Sequence, residues 1–461
     1  MKKLSRFYKF LTAGLVFAFA FGFLCAQSEE AAEEETASQY QERIEKIEFG
    51  LESEIEELID VLVSDEDFEY STNLKELFLQ SKSTTLRNKI IDYFIAAKDL
   101  SLEEQMLAVF EDPMAEKKST TDKFFNYAEK LEIKSAGEPL RAILEDESSP
   151  FLANAVKTLG KCGSVQDAAL MAELLKKEDN QNTRHELVVA LGNLGSAESY
   201  QTVADIAKDS SESLSMRMAA IEAMGKIPNE DTTAELAKLY EDRDANFRVS
   251  VIKAVAQIQN SEAEKILIEA VKDNHYKVRL AALTGVIDQK LVNAEKVVLY
   301  RAKNDSENVV KEKSFEALAA IGTPQAVEYL LKVAEDKKRS DSNRAKAASY
   351  LLKYCFDDSV YKLTDIARVT LSDEKQKNVR YALGREFAKY ENIALMDICR
   401  EYLASDDVST KGTGLDIYAK NAYGSLRPDV SAIAEDKKAG VNQKKAKNVL
   451  EKIDRAAGFI E

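Results

Sequence analysis

Asn274-His-Tyr-Lys-Val-Arg-Leu-Ala-Ala-Leu283 and Arg184-His-Glu-Leu-Val-Val-Ala-Leu-Gly-Asn-Leu-Gly195 are two copies of one pattern, a basic residue leading an apolar run. The basic residue recurs as Arg184, Arg217, Arg248, Arg279, Lys311, Arg344, Arg380 and Lys411, at separations of 33, 31, 31, 32, 33, 36 and 31 residues. Self-similarity at that period marks a repeat array. Each unit is too small to bury its own apolar face and must stack on its neighbours.

Seven residues after each anchor stands an apolar side chain: Leu191, Met224, Val255, Val286, Leu318, Leu351, Phe387 and Tyr418. Four after it stand Val188, Ile221, Ile252, Leu283, Phe315, Ala348 and Leu415, with Gly384 the exception. Offsets of four and seven share one face of a helix with about 3.6 residues per turn. A second amphipathic run precedes each anchor, as in residues 234–240 and 266–271, so each period holds a helical hairpin. Gly192, Gly195, Gly225 and Gly322 fall where the second helix should stop, and glycine tolerates the left-handed conformation common there. Strand-like alternation is missing from the sequence. The expected fold is all-α, an α-solenoid of about twelve hairpins extending on the order of 100 Å.

These segments resemble HEAT repeats of the phycobilisome-lyase-like type, most closely over residues 135–354. That family places an Asp six residues before the Arg, at the turn. Here Asp242 precedes Arg248, Asp273 precedes Arg279 and Asp305 precedes Lys311 at that spacing. Glu178 and Glu374 supply a carboxylate before Arg184 and Arg380, whereas Ser211, Lys338 and Ser405 depart from the pattern. Acid and base repeating at fixed spacing are expected to bond the turns of neighbouring units, because partly buried charges persist when paired. More divergent repeats fill residues 41–134 and 355–461.

The first 26 residues are of another kind. Lys2, Lys3, Arg6 and Lys9 precede an apolar run from Phe10 to Leu24, then Cys25-Ala26-Gln27. That order describes a secretory signal peptide cleaved after Ala26, and the run is short for a membrane-spanning helix. Cys25 leaves open a lipid anchor, and an uncleaved leader would also tether the chain; otherwise no membrane association is expected. Loss of the four leader cations takes the formal charge from −16 to −20. Residues 27–40, with five glutamates between Glu29 and Glu35, read as an acidic disordered leader. Such a chain is a poor partner for nucleic acid, whose phosphates call for Lys and Arg. Cys162, Cys355 and Cys399 remain after cleavage, too few and too dispersed for a disulfide framework or a zinc site. Buried small hydrophobes are the expected role, with a Cys355–Cys399 bridge left open.

Catalytic motifs are missing. The two histidines are His185 and His275. One His185-Glu186 dyad cannot supply the several dyads that HEAT-like di-iron hydroxylases use, so no metal site or cofactor is expected. The lyase resemblance implies chromophore handling as an alternative, but no phosphate loop or nucleophile elbow accompanies it. Binding is the more natural role. On the second helices, outward offsets become basic toward the C-terminus, at Lys346, Lys353, Arg385, Lys389 and Lys420, beside Tyr350 and other tyrosines. A basic, tyrosine-rich strip on an acidic protein is a candidate surface for an acidic partner. The sequence therefore points to an exported, non-catalytic scaffold or adaptor with protein partners in the bacterial periplasm or cell envelope. A lipid-anchored envelope assembly factor is the alternative that Cys25 keeps open.

Overall fold

The computed structural model of the chain describes residues 38–146 and 148–456. Among them are 26 α-helices and no strand. The leader, its cleavage site and Cys25 lie outside these residues. Helices pair in chain order, so the 26 make thirteen hairpins against the roughly twelve anticipated. The first hairpin, residues 38–49 with Glu52–Ser64, carries no anchor of its own.

Contacts divide the described residues into two compact units, one of residues 38–285 and one beginning at residue 286. Within the first unit, the second helices Thr84–Ala97, Lys118–Leu131, Leu152–Cys162, Gln181–Leu194, Leu214–Met224 and Ala245–Val255 pack each against the next. Within the second unit, Asn308–Ile321, Asp341–Tyr354, Lys377–Phe387, Val408–Asn421 and Val441–Ala456 do the same. This nearest-neighbour stacking is how a solenoid buries a continuous core.

Several second helices begin at a polar cap four residues before the anchor, and Ser83 stands likewise before Arg87 of an earlier, more divergent repeat. The side chains of Ser83, Asn180, Ser213, Asp244, Ser340 and Asp407 accept from first-turn N–H groups that have no partner inside the helix. His275 holds the same position, its Nδ1 accepting from the Lys277 N–H at 3.3 Å. From the cap, the four and seven offsets turn inward. Leu191, Met224, Val255, Leu318, Leu351 and Phe387 are wholly buried, as are Val188, Ile221, Ile252, Leu283 and Phe315. The exception at Gly384 has a steric cause. A Cβ there would lie 2.5 Å from Thr413 Cγ2 and 2.7 Å from the Tyr402 ring.

The four glycines expected as helix stops divide into two kinds. Gly195 and Gly322 have φ of +67° and +69° and end their helices in the left-handed conformation. Gly192, inside its helix, and Gly225, at its helix end in right-handed conformation, permit close approach. A Cβ on Gly192 would sit 2.6 Å from the Ala223 Cβ, and one on Gly225 would sit 2.9 Å from the Ala254 Cα. Gly160 meets Ala190 in the same way. Eight residues after one anchor, glycine lies against the alanine six residues after the next, which lets successive second helices approach closely.

Gly192→Val forces the helices Gln181–Leu194 and Leu214–Met224 apart, at an expected cost of about 1 to 3 kcal/mol. Denaturant unfolding measures the loss. Hydrogen exchange should accelerate first in the hairpins on either side, because each unit leans on its neighbours; acceleration spread evenly over the chain would contradict that coupling.

Candidate functional site

The anchor arginines bridge two turns at once. Arg248 donates from Nη1 to the carbonyls of Asp242 and Arg243 in its own turn, at 3.0 and 3.1 Å. Its Nε and Nη2 form a two-pronged pair, each 2.9 Å from a carboxylate oxygen of Asp273 in the following repeat. Asp273 also accepts from the His275 N–H at 2.7 Å and the Tyr240 hydroxyl at 2.8 Å. The six-residue spacing within one unit is thus a carbonyl contact, and the carboxylate serves the neighbour. Arg279 repeats the first half, donating to the Asp273 and Asn274 carbonyls at 3.0 and 3.1 Å. Asp242 lies 3.7 Å from Arg217. Asp305 is buried, accepts from the Glu307 N–H at 3.0 Å and lies 3.6 Å from Arg301. Lys311 is half-buried at the next anchor.

Units that depart from the sequence pattern keep the bridge with other groups. In place of Ser211, the next residue, Glu212, pairs with Arg184. Arg344, 2% exposed, donates to the Ala334 carbonyl at 2.9 Å and to the Gln376 side-chain oxygen at 3.0 Å. Ser405 accepts from the Asp407 N–H, and Arg380 turns to Thr410 Oγ1 at 2.9 Å and the Thr370 carbonyl at 2.6 Å. Burial pushes the Asp273 carboxyl upward, but the hydrogen bonds from Arg248, the His275 N–H and Tyr240 outweigh it and hold the pKa below the ordinary aspartate value.

The basic strip is largely matched within the chain. Lys346 pairs with Glu312, and Lys353 with Glu316 at 3.2 Å, where the Tyr354 hydroxyl also donates at 3.0 Å. Lys389 pairs with Glu386 at 2.8 Å. Tyr350 is half-buried, and Arg385 and Lys420 are exposed. Sequence placed these residues on the outward face but could not show the acidic neighbours, which stand on the preceding second helix or one turn away. Of the nearby tyrosines, Tyr402 and Tyr418 are core residues, and the Tyr402 hydroxyl donates to the Arg380 carbonyl at 3.1 Å.

Other chemistry-bearing residues are dispersed. His185 is half-buried on the helix Gln181–Leu194, while His275 caps a helix three hairpins on and stacks on Tyr276 at 5.2 Å. The three cysteines are unbridged and buried. Each thiol donates to a carbonyl: Cys162 to Ala128, Cys355 to Ala319 and Cys399 to Gly414, at 3.2, 3.2 and 3.4 Å. Burial pushes the Cys162 and Cys399 thiols up to about 11 and about 12, away from the reactive thiolate form. The Cys355–Cys399 bridge left open by the sequence is not formed. Among the described residues no group of three or more His, Cys, Asp or Glu could hold a metal ion, and no helix is long and apolar enough to cross a membrane.

A sequence profile described as "Spirochaete HEAT repeat protein" matches residues 47–449. The chain belongs to the spirochaete HEAT repeat family. That assignment covers nearly all the hairpins; it does not extend to a lyase-like branch or to export. Curated proteins give no match. Among solved structures, human deoxyhypusine hydroxylase in complex with glycerol is 17% identical, with 54% of this chain and 95% of that chain covered and a TM-score of 0.25. Kap121p bound to Nup53p is 12% identical, with 90% of this chain and 53% of that chain covered and a TM-score of 0.44. This HEAT array thus spans about half of Kap121p, and both likenesses are too distant to carry a function across.

Asp273→Asn tests the inter-repeat bridge. The folded carboxyl titrates below its unfolded value of about 3.9, so its contribution is present above that value and is lost as pH falls through the lower folded value. At neutral pH the variant should lose about 1 to 3 kcal/mol, because the half-buried Arg248 loses its charged acceptor. In urea unfolding, the gap between variant and wild type should narrow as pH drops below about 4. A gap independent of pH would show that the pair contributes packing alone.

Proposed function

We propose that this HEAT repeat protein is a non-catalytic scaffold for protein partners in the bacterial periplasm or cell envelope. The observation that carries the proposal is the register of the second helices. Within each compact unit, equivalent offsets from successive anchors stand on neighbouring helices, so a partner meets a row of helix faces, as in other stacked arrays. The buried charges are held in ion pairs or hydrogen bonds between turns and neighbouring helices, the thiols bond carbonyls in the core, and the histidines stand apart. The leader supports export: four cations precede the apolar run from Phe10 to Leu24. The formal charge of −16, lower still after cleavage, supports a partner recognised through protein contacts rather than through a phosphate backbone.

Fractionation of the native host with intact-mass analysis tests the location. A mature chain starting at Gln27 in the envelope fraction is expected; full-length chain in the cytosol would overturn export, and acylated Cys25 would make the scaffold membrane-anchored. Cross-linking in cells then identifies the partner. Because the lysines of the strip have carboxylates beside them, the exposed Arg385 and Lys420 are its available charges. Reversing both to Glu should slow association with an acidic partner, most at low salt, while the exposed Lys238 and Lys265 reversed together should not. Equal losses from both pairs would point to net charge instead of a site. A chromophore bound in the purified protein would overturn the non-catalytic assignment.

A further inference from the structure

Arg344 breaks the ladder's rule. Arg87 pairs with Glu116 at 2.7 Å, Arg217 with Asp242 at 3.7 Å, Arg248 with Asp273 at 2.9 Å and Arg380 with Glu374 at 3.3 Å, and Arg184 has Glu212. Arg344, 2% exposed, makes no ion pair among the described residues. Its Nε donates to the Ala334 carbonyl and its Nη2 to the Gln376 side-chain oxygen, both neutral acceptors. Asp341, Asp336 and Asp373 act on it through space, and none closes on the guanidinium. Asp336 stands 3.8 Å from Arg339 and Asp373 stands 3.3 Å from Lys337. Buried cations normally persist beside a counter-charge, and a guanidinium does not escape by losing its proton. Nη1 makes no hydrogen bond within the described residues, yet it is not sealed from solvent.

Arg344 and Gln376 line a cleft of about 330 Å³ between the first helices Pro324–Glu335 and Phe356–Leu371. Leu331, Ile366 and Val369 form its apolar wall, and Val369 is 53% exposed. Most of its charges cancel in pairs. Lys332 meets Glu328 at 2.6 Å, Asp365 meets Arg368 at 2.8 Å, and Lys337 is held by Asp373. Lys362 and Glu335, both exposed and without an ion pair among the described residues, offset one another. The charge left unmatched in the lining is that of Arg344.

We infer that this cleft binds an aliphatic carboxylate, whose head group gives Arg344 the counter-charge that the chain does not, and whose tail lies along Leu331, Ile366 and Val369. A planar carboxylate matches the guanidinium fork, and Nη1 is the donor left to receive it. One unmatched positive charge selects a monoanion. A multiply charged anion such as phosphate would meet Glu328, Glu335 and Asp365 and leave the apolar wall uncovered. The volume lies within the range of clefts that hold small ligands. A free branched-chain acid and the C-terminal carboxylate of a polypeptide ending in an aliphatic residue share this chemistry. The site stands apart from the scaffold proposal, and neither requires the other.

Calorimetric titration of the full chain separates the sources. The probes are 4-methylpentanoate, its uncharged amide, a short peptide ending in leucine with a free carboxylate, and the same peptide amidated. Saturable binding at one site is expected for a carboxylate, with each amide at least about tenfold weaker. A peptide that binds more tightly than the free acid identifies a chain end; the reverse order identifies a small acid.

Two variants place the binding. The double change Asp373→Asn with Gln376→Glu moves an existing carboxylate onto Arg344, keeps the net charge and reverses the donor in the 2.7 Å hydrogen bond between the two residues. Carboxylate affinity should fall at least about tenfold, and the ligand should no longer raise the melting temperature. Lys362→Glu changes an exposed side chain at the mouth and leaves the floor intact; it should weaken binding about threefold or more, and it decides the matter if the double variant does not fold. Absence of saturable binding by either carboxylate, amides that bind equally well, or wild-type affinity in either variant would overturn the site. In each of those cases a partner cross-linked in cells would leave the scaffold proposal standing.

Discussion

A guanidinium held between two turns is the interaction on which the rest of the array depends. Arg248 donates to carbonyls of its own turn and, two-pronged, to Asp273 of the next. One side chain thereby closes the turn between its two helices and sets the distance to the following hairpin. Asp273 is equally committed, accepting from Arg248, a backbone N–H at the helix start and Tyr240. A buried charge is costly when its partner is absent, so the pair disfavours any stacking that separates these turns. Where the carboxylate is lost, the neutral side chain of Gln376 accepts from Arg344 and preserves the geometry with less charge, whereas Arg380 adds the Thr410 hydroxyl to Glu374 at 3.3 Å and Asp407 at 3.9 Å.

The bridge acts at one end of each second helix, and small residues act toward the other. Gly160 on Ala190, Gly192 on Ala223 and Gly225 on Ala254 let the helices meet almost backbone to backbone. Where both occur, turn bridge and glycine contact fix two points along the helix. The offsets of four and seven between them then fill the core, from Val188 and Leu191 to Phe387. Gly384 is the informative irregularity: the missing side chain makes room for Thr413 and Tyr402 from the following hairpin.

Because polar chemistry is spent on holding turns together, the residues that suggest activity in the sequence become structural in the fold. Each cysteine thiol bonds a carbonyl in the core. Lys346, Lys353 and Lys389 stand beside carboxylates. What remains available on the strip for a partner is the exposed pair Arg385 and Lys420.

The sequence by itself determined the helical class, the period and the inward positions, because a repeat of 31 to 36 residues with apolar offsets of four and seven has one economical solution in stacked hairpins. It also displayed polar residues four before several anchors, from Asn180 to Asp407, as helix-start signals. Partnership was a tertiary matter. Which carboxylate meets Arg248, which glycine ends a helix and which admits a neighbour, and which lysines of the strip are already matched depend on residues about one repeat away. Linear spacing identifies the face on which such a residue stands, whereas only the packing of successive hairpins brings its partner alongside.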